Sequence, residues 1–86
     1  MAAEKRKKEI SQLDQQLLEK LAARLRTFRK EKGFSNYEKL AYEHNLSRSQ
    51  IGKYEKGHNM TILSLVTLLR ALDVPLREFF SDGFDE

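Results

Sequence analysis

Four polar side chains gathered behind a serine are the part of this sequence best equipped for chemistry. Arg48, Ser49 and Gln50 follow Ser47 directly, and Lys53 comes about one helical turn later. An arginine fork can bond the O6 and N7 of guanine in a bidentate way, each good pair being worth about 1–3 kcal/mol of discrimination between bases. Gln50 can bond a base or a phosphate, or bend back to close a helix cap with Ser47. Catalysis is poorly supplied by comparison: no nucleophile–base pair, no paired carboxylates and no phosphate-cradling glycine loop stand out, and Asp82-Gly83 is an isolated motif. Without cysteine there is neither a disulfide framework nor a thiolate zinc site. His44 and His58 are too few and too far apart for a metal cage. An enzyme, a metal and a cofactor are therefore not expected.

Such side chains need a helix N-terminus to present them, and Leu40 to Gly57 supplies one. This segment reads as a helix end, a turn of about three residues and a second helix, the layout of a helix-turn-helix. Asn45 suits the turn because it tolerates the left-handed conformation. Ser47 with Gln50 forms a capping-box pattern, so the second helix is expected from Arg48 to about Lys56, where Gly57 stops it.

The surrounding elements follow from periodicity and punctuation. Ile10, Leu13, Leu17, Leu18, Leu21, Leu25 and Phe28 recur at steps of three and four, which predicts a long amphipathic helix from about Ile10 to Lys32, ended by Gly33. Ser35 or Asn36 can cap a short helix to about Glu43, Ser35 with Glu38 forming a possible capping box. Thr61 caps a helix over Ile62 to Leu72, in which Ile62, Leu65, Val66, Leu68, Leu69 and Leu72 are too many for a one-sided surface helix and imply a central position. Val74-Pro75 breaks it, and Pro75 is placed to start a short last helix through Phe80. No strand pattern appears, so the fold is expected to be all-α. Residues 1–20 read as a basic tail and helical extension, 21–80 as the domain, and 81–86 as an acidic tail anchored by Phe84.

Length and charge set the remaining bounds. At 86 residues there is room for one domain but not for a cleft between two. Residues 1–33 hold ten Lys or Arg against five Asp or Glu, whereas residues 61–86 hold two against five. A basic end favours a polyanion partner, although a well-solvated surface has the same composition. No apolar run approaches the roughly 20 residues of a membrane span, and Met1 to Ile10 is charged without a signal-peptide core. A soluble, cytoplasmic chain with no membrane partner and no small-molecule ligand is expected.

Three blocks in order then resemble the phage lambda repressor and Cro (XRE-type) helix-turn-helix family. They are Leu21, Leu25-Arg26, Phe28-Arg29 and Lys32-Gly33; Leu40-Ala41 with Leu46-Ser47, Ile51, Tyr54-Glu55 and Gly57; and Leu68 to Leu72 with Val74 and Leu76 to Phe80. The resemblance implies a five-helix, lambda-repressor-like DNA-binding domain, here with a lengthened first helix. It also implies that the start of the recognition helix, about residues 48–56, faces base edges in the major groove. Arg48, Ser49, Gln50 and Lys53 are then the candidate base readers, and Glu55 pairs internally with Arg29. One residue more than the usual family spacing separates Gly33 from Leu40. That favours Asn36 as the cap and puts Tyr37 where many members carry a phosphate-touching glutamine. The loop after Gly57 is about one residue short, and Asn45 replaces the common turn glycine.

Phosphate contacts are expected from Asn36 and Tyr37 at the start of the second helix and from Lys56, His58 and Asn59 after the third. His58 reads as a neutral surface residue rather than a pH switch, and Lys5 to Lys8 as either an arm along the duplex or a basic tail. Gly52 costs about 1 kcal/mol in mid-helix, which either a close approach to the duplex or an unselected exposed substitution would explain. The apolar stripe of Ile10, Leu13 and Leu17 either pairs with a second subunit or folds back on its own domain, and pairing is favoured. If the contact lies elsewhere, Leu76, Phe79 and Phe80 are the next choice. The leading expectation is a dimeric, sequence-specific regulator of double-stranded DNA, like phage repressors or the controller proteins of restriction–modification systems. The alternative is a protein-interaction module, an antitoxin or adaptor, on the same fold.

Overall fold

The computed structural model describes residues 11–84. These residues form five α-helices and no strand: α1 Gln12–Glu31, α2 Tyr37–His44, α3 Arg48–Tyr54, α4 Ile62–Leu72 and α5 Leu76–Phe79. The all-α, five-helix expectation holds. Ile10, the basic run Lys5 to Lys8, and Asp85 and Glu86 of the acidic tail lie outside the described residues.

Local chemistry explains where the helices start and stop. Each of the first four is capped by a side-chain oxygen three residues before the amide it accepts from: Ser11, Asn36, Ser47 and Thr61. Asn36, not Ser35, caps α2. Four helices also end alike, each followed by a residue of left-handed backbone: Gly33 (φ 96°), Asn45 (φ 54°), Gly57 (φ 93°) and Asp73 (φ 58°). The next amide then reaches back across the last turn, as from Phe34 to the Arg29 carbonyl at 3.0 Å and from His58 to the Lys53 carbonyl at 3.0 Å. This pattern satisfies carbonyls that a helix end would leave open and reverses the chain within a few residues. In α3 the closing turn tightens, with Lys56 N–H donating to the Lys53 carbonyl at 3.1 Å. Regular helix therefore stops at Tyr54, two residues before the expected end, and a 3₁₀-like turn continues to Gly57.

The core forms around α4. Leu65, Leu68, Leu69 and Leu72 are buried with Phe28, Leu40, Ile51 and Phe79, and Phe79, Leu40 and Leu69 are the most completely enclosed. The first turn of α4 departs from the central reading. Ile62 is 64% exposed and Leu63 73% exposed, because the apolar stripe runs one turn beyond the core it covers. Pro75 is not the first helical residue but the cap of α5, with extended backbone (ψ 149°) and no side-chain bond. A four-residue helix cannot stabilise its own end, and Arg24 of α1 does so instead. Its guanidinium donates to the carbonyls of Phe79 (2.9 Å) and Glu78 (3.3 Å) and to Ser81 Oγ (3.1 Å) while lying over the Phe28 ring. Phe84 packs against Phe79 and Phe80.

Candidate nucleic-acid interface

The inner side of α3 is fixed to the rest of the domain by charge and packing together. Arg29 Nε donates to Glu55 Oε2 at 2.7 Å and Nη2 to Oε1 at 3.1 Å, a bidentate pair with both side chains buried. Arg29 Nη1 also donates to the Phe34 carbonyl at 2.7 Å, so the guanidinium ties α1, the following loop and the end of α3 into one unit. Two buried charges are tolerable only when paired and hydrogen-bonded in this way. Arg26 adds a bond from Nη1 to the Glu55 carbonyl. The internal Arg29–Glu55 pair expected from the resemblance is present. Ile51 fills the core beside Leu40 and Ala41 of α2, and the Tyr54 hydroxyl donates to Ser64 Oγ of α4 at 3.3 Å.

The outer side of α3 has no such attachments. Arg48, Ser49, Gln50 and Lys53 are all exposed. Among the described residues the side chains of Arg48, Gln50 and Lys53 make no hydrogen bond or ion pair, and Ser49 Oγ lies 3.4 Å from Ser47 Oγ. Of the expected capping box only Ser47's half forms: its Oγ accepts from the Gln50 amide at 3.3 Å, while the Gln50 side chain does not return to the cap. Gln50 and Lys53 thus project into solvent from the side of the helix opposite the one held rigidly, and Arg48, at the open first turn, projects from its end.

Flanking residues fall around both ends of this surface. Asn36 is exposed, and its Oδ1 accepts from the Lys39 amide at 2.8 Å, which commits that oxygen to the cap. The first amides of α2, at Tyr37 and Glu38, point out of the helix end, as the first turn of any helix leaves them. Beyond α3, Lys56, His58 and Asn59 are exposed. Asn59 Oδ1 accepts from the Met60 amide at 2.9 Å; Lys56 and His58 have no side-chain partner among the described residues.

Tyr37 and Gly52 meet in a way their spacing in sequence did not disclose. A Cβ built on Gly52 would lie 2.9 Å from Tyr37 Oη, 3.0 Å from Cζ and 3.1 Å from Cε1. Gly52 is buried, so neither an exposed site nor a close duplex is needed to account for it: the glycine makes room for a half-buried tyrosine ring.

The start of α1 lies against the domain more closely than a bare extension would. Leu18 and Ala22 are buried, and a Cβ on Gly57 would touch Gln15 and Glu19 at 3.6 and 3.7 Å. Leu13, by contrast, is 70% exposed and Leu17 half-buried. Of the residues named as the next contact surface, Leu76 and Phe80 are exposed, but Phe79 is fully enclosed and cannot serve. No described helix is long and apolar enough to cross a membrane.

A family model described as helix-turn-helix matches residues 25–79. The solved structure of the wild-type restriction-modification controller protein C.Esp1396I is similar to this chain, with 38% identity and a TM-score of 0.67 over 76% of this chain and 84% of that one. No curated protein matches.

Proposed function

The chain belongs to the lambda repressor and Cro type (XRE-type) helix-turn-helix family, whose members are DNA-binding regulators of transcription, and from that premise we propose that it binds operator DNA as a homodimer in the cytoplasm. In this reading residues 21–80 are the DNA-binding unit and α3 enters the major groove. Arg48, Ser49, Gln50 and Lys53 read base edges, and Asn36, Tyr37, Lys56, His58 and Asn59 hold phosphates on either side. The similar controller protein favours a small regulator of restriction–modification genes.

The observation that carries the reading is the asymmetry of α3. Its inner side is fixed by a buried ion pair, whereas Arg48, Gln50 and Lys53 project outward with no partner in the described residues. Side chains that stay solvated at no structural benefit are what a duplex surface requires. Binding measured against salt tests the phosphate part: log K falls linearly with log salt, with a slope of about −0.9 for each phosphate neutralised. An affinity indifferent to salt contradicts it.

The dimer rests on Leu13 and Leu17, exposed and half-buried on one stripe of α1. Two modules about 34 Å apart match successive turns of the duplex. Leu13→Glu leaves the fold intact, since the side chain is already in water, and shifts the sedimentation coefficient to that of a monomer. A Leu13→Glu chain that stays dimeric moves the contact elsewhere, with Leu76 and Phe80 the next to test.

A further inference from the structure

We infer that Tyr37 is a positioning residue for the recognition helix and that Gly52 is its seat. The inference deepens the DNA-binding reading and rests on it. With only seven residues, α3 is set by a few contacts. Its C-terminal end is fixed by Arg29 and Arg26 of α1. Toward α2, the face bearing Gly52 meets the tip of Tyr37, close enough that its hydroxyl oxygen and two ring carbons lie within 3.1 Å of where a Cβ would stand.

Position 52 matters because of what shares its face. Residues four apart on a helix stack one turn above the other, so Arg48 stands one turn N-terminal to Gly52. The thickness of the group at position 52 therefore sets how far α2 stands from the arginine expected to read bases. A tyrosine on a bare backbone brings the two helices together. A methyl group there must push the ring aside or tilt α3, and a tilt displaces Arg48 more than it displaces the anchored Glu55.

Tyr37 has a second attribute that a pure spacer lacks. Its hydroxyl makes no hydrogen bond to any described residue, and no buried side-chain oxygen or nitrogen is left unsatisfied. The Oη therefore keeps some contact with solvent beside α3, even as the atom nearest the Gly52 site, and is placed to contact a phosphate while the tip of the ring packs on the helix. Ring and hydroxyl can be separated experimentally.

The test is a double-mutant cycle. Gly52→Ala is made in the wild-type chain and in a Tyr37→Ala chain, with Tyr37→Phe alongside. Each is measured for melting temperature and for affinity to a duplex selected by the wild type and to a scrambled one. Alanine is the better helix former, so Gly52→Ala raises the melting temperature when the ring is absent and fails to raise it when the ring is present. With the ring present, Gly52→Ala weakens binding to the selected duplex by about tenfold or more, the size of one lost base contact, while the phosphate-driven scrambled affinity changes by less than about twofold. In the Tyr37→Ala background the further loss on the selected duplex stays below about twofold, because sites no longer in contact act independently. Tyr37→Phe weakens both duplexes alike and keeps their ratio. A Gly52→Ala chain that discriminates as well as the wild type overturns the inference, as does an equal loss in both backgrounds. A wild-type chain with no preferred duplex removes the DNA-binding reading and this inference with it, and that result is recognised before any substitution is made.

Discussion

The two sides of α3 solve opposite problems with similar residues. On the inner side, charged and aromatic groups are placed where every polar atom finds a partner: Glu55 takes both arms of Arg29, and Tyr54 reaches Ser64. On the outer side Lys53, and at the exposed first turn Arg48, carry the same positive charge as Arg29 and have no partner among the described residues. Burial makes the difference. A buried arginine must be paired or the fold pays heavily, whereas an exposed one costs nothing to leave solvated and remains ready for an external anion. One short helix thus carries stability on one face and availability on the other.

If this division is right, substitutions on the two faces should have opposite signatures. Glu55→Ala leaves the Arg29 guanidinium buried without its partner and should lower unfolding free energy by about 3–5 kcal/mol, read by chemical denaturation. Leu69→Ala, deep in the core, should cost about 2–5 kcal/mol as other large-to-small core changes do. Arg48→Ala should change stability by less than about 0.5 kcal/mol, as surface changes usually do, yet remove about 1–3 kcal/mol of preference for the selected duplex. Ser47→Ala lies on the border between the faces: losing the cap bond to Gln50 should cost about 1 kcal/mol of stability and weaken DNA binding by fraying the turn that carries Arg48. The smallest effect is expected from Lys56→Ala, which should lower affinity for all duplexes alike and make the salt slope shallower by about 0.9. A Glu55→Ala chain as stable as the wild type, or an Arg48→Ala chain that unfolds, would collapse the comparison.

Local features of the fold were the most legible in sequence. Caps and stops depend on neighbouring residues, so Thr61, Asn45, Gly33 and Gly57 announced their helix boundaries. The end of α4 was marked by Val74-Pro75, whereas the left-handed backbone of Asp73 itself was not foreseen, because glycine and asparagine take that role more often. The stripe of α4 was readable, but not that it overruns the core at Ile62 and Leu63, since a helical period says which face is apolar and not how far the covering elements extend. In the candidate interface, the outward residues of α3 could be named from spacing within one segment. The contact of Tyr37 with Gly52, and the hold of Arg24 on the end of α5, join residues from different elements. Their only trace in sequence was an anomaly: a glycine in mid-helix and an arginine on a half-buried stripe.

The most direct test of the account is a selection from random duplexes, run in parallel with the wild-type chain and with Arg48→Ala. The wild type should enrich a two-fold symmetric sequence with guanine at matching positions of each half-site, and Arg48→Ala should lose the preference at those positions while still retaining duplex at low salt. If both chains enrich the same sequence with the same stringency, the outer face of α3 is not the reading surface and the central claim is wrong.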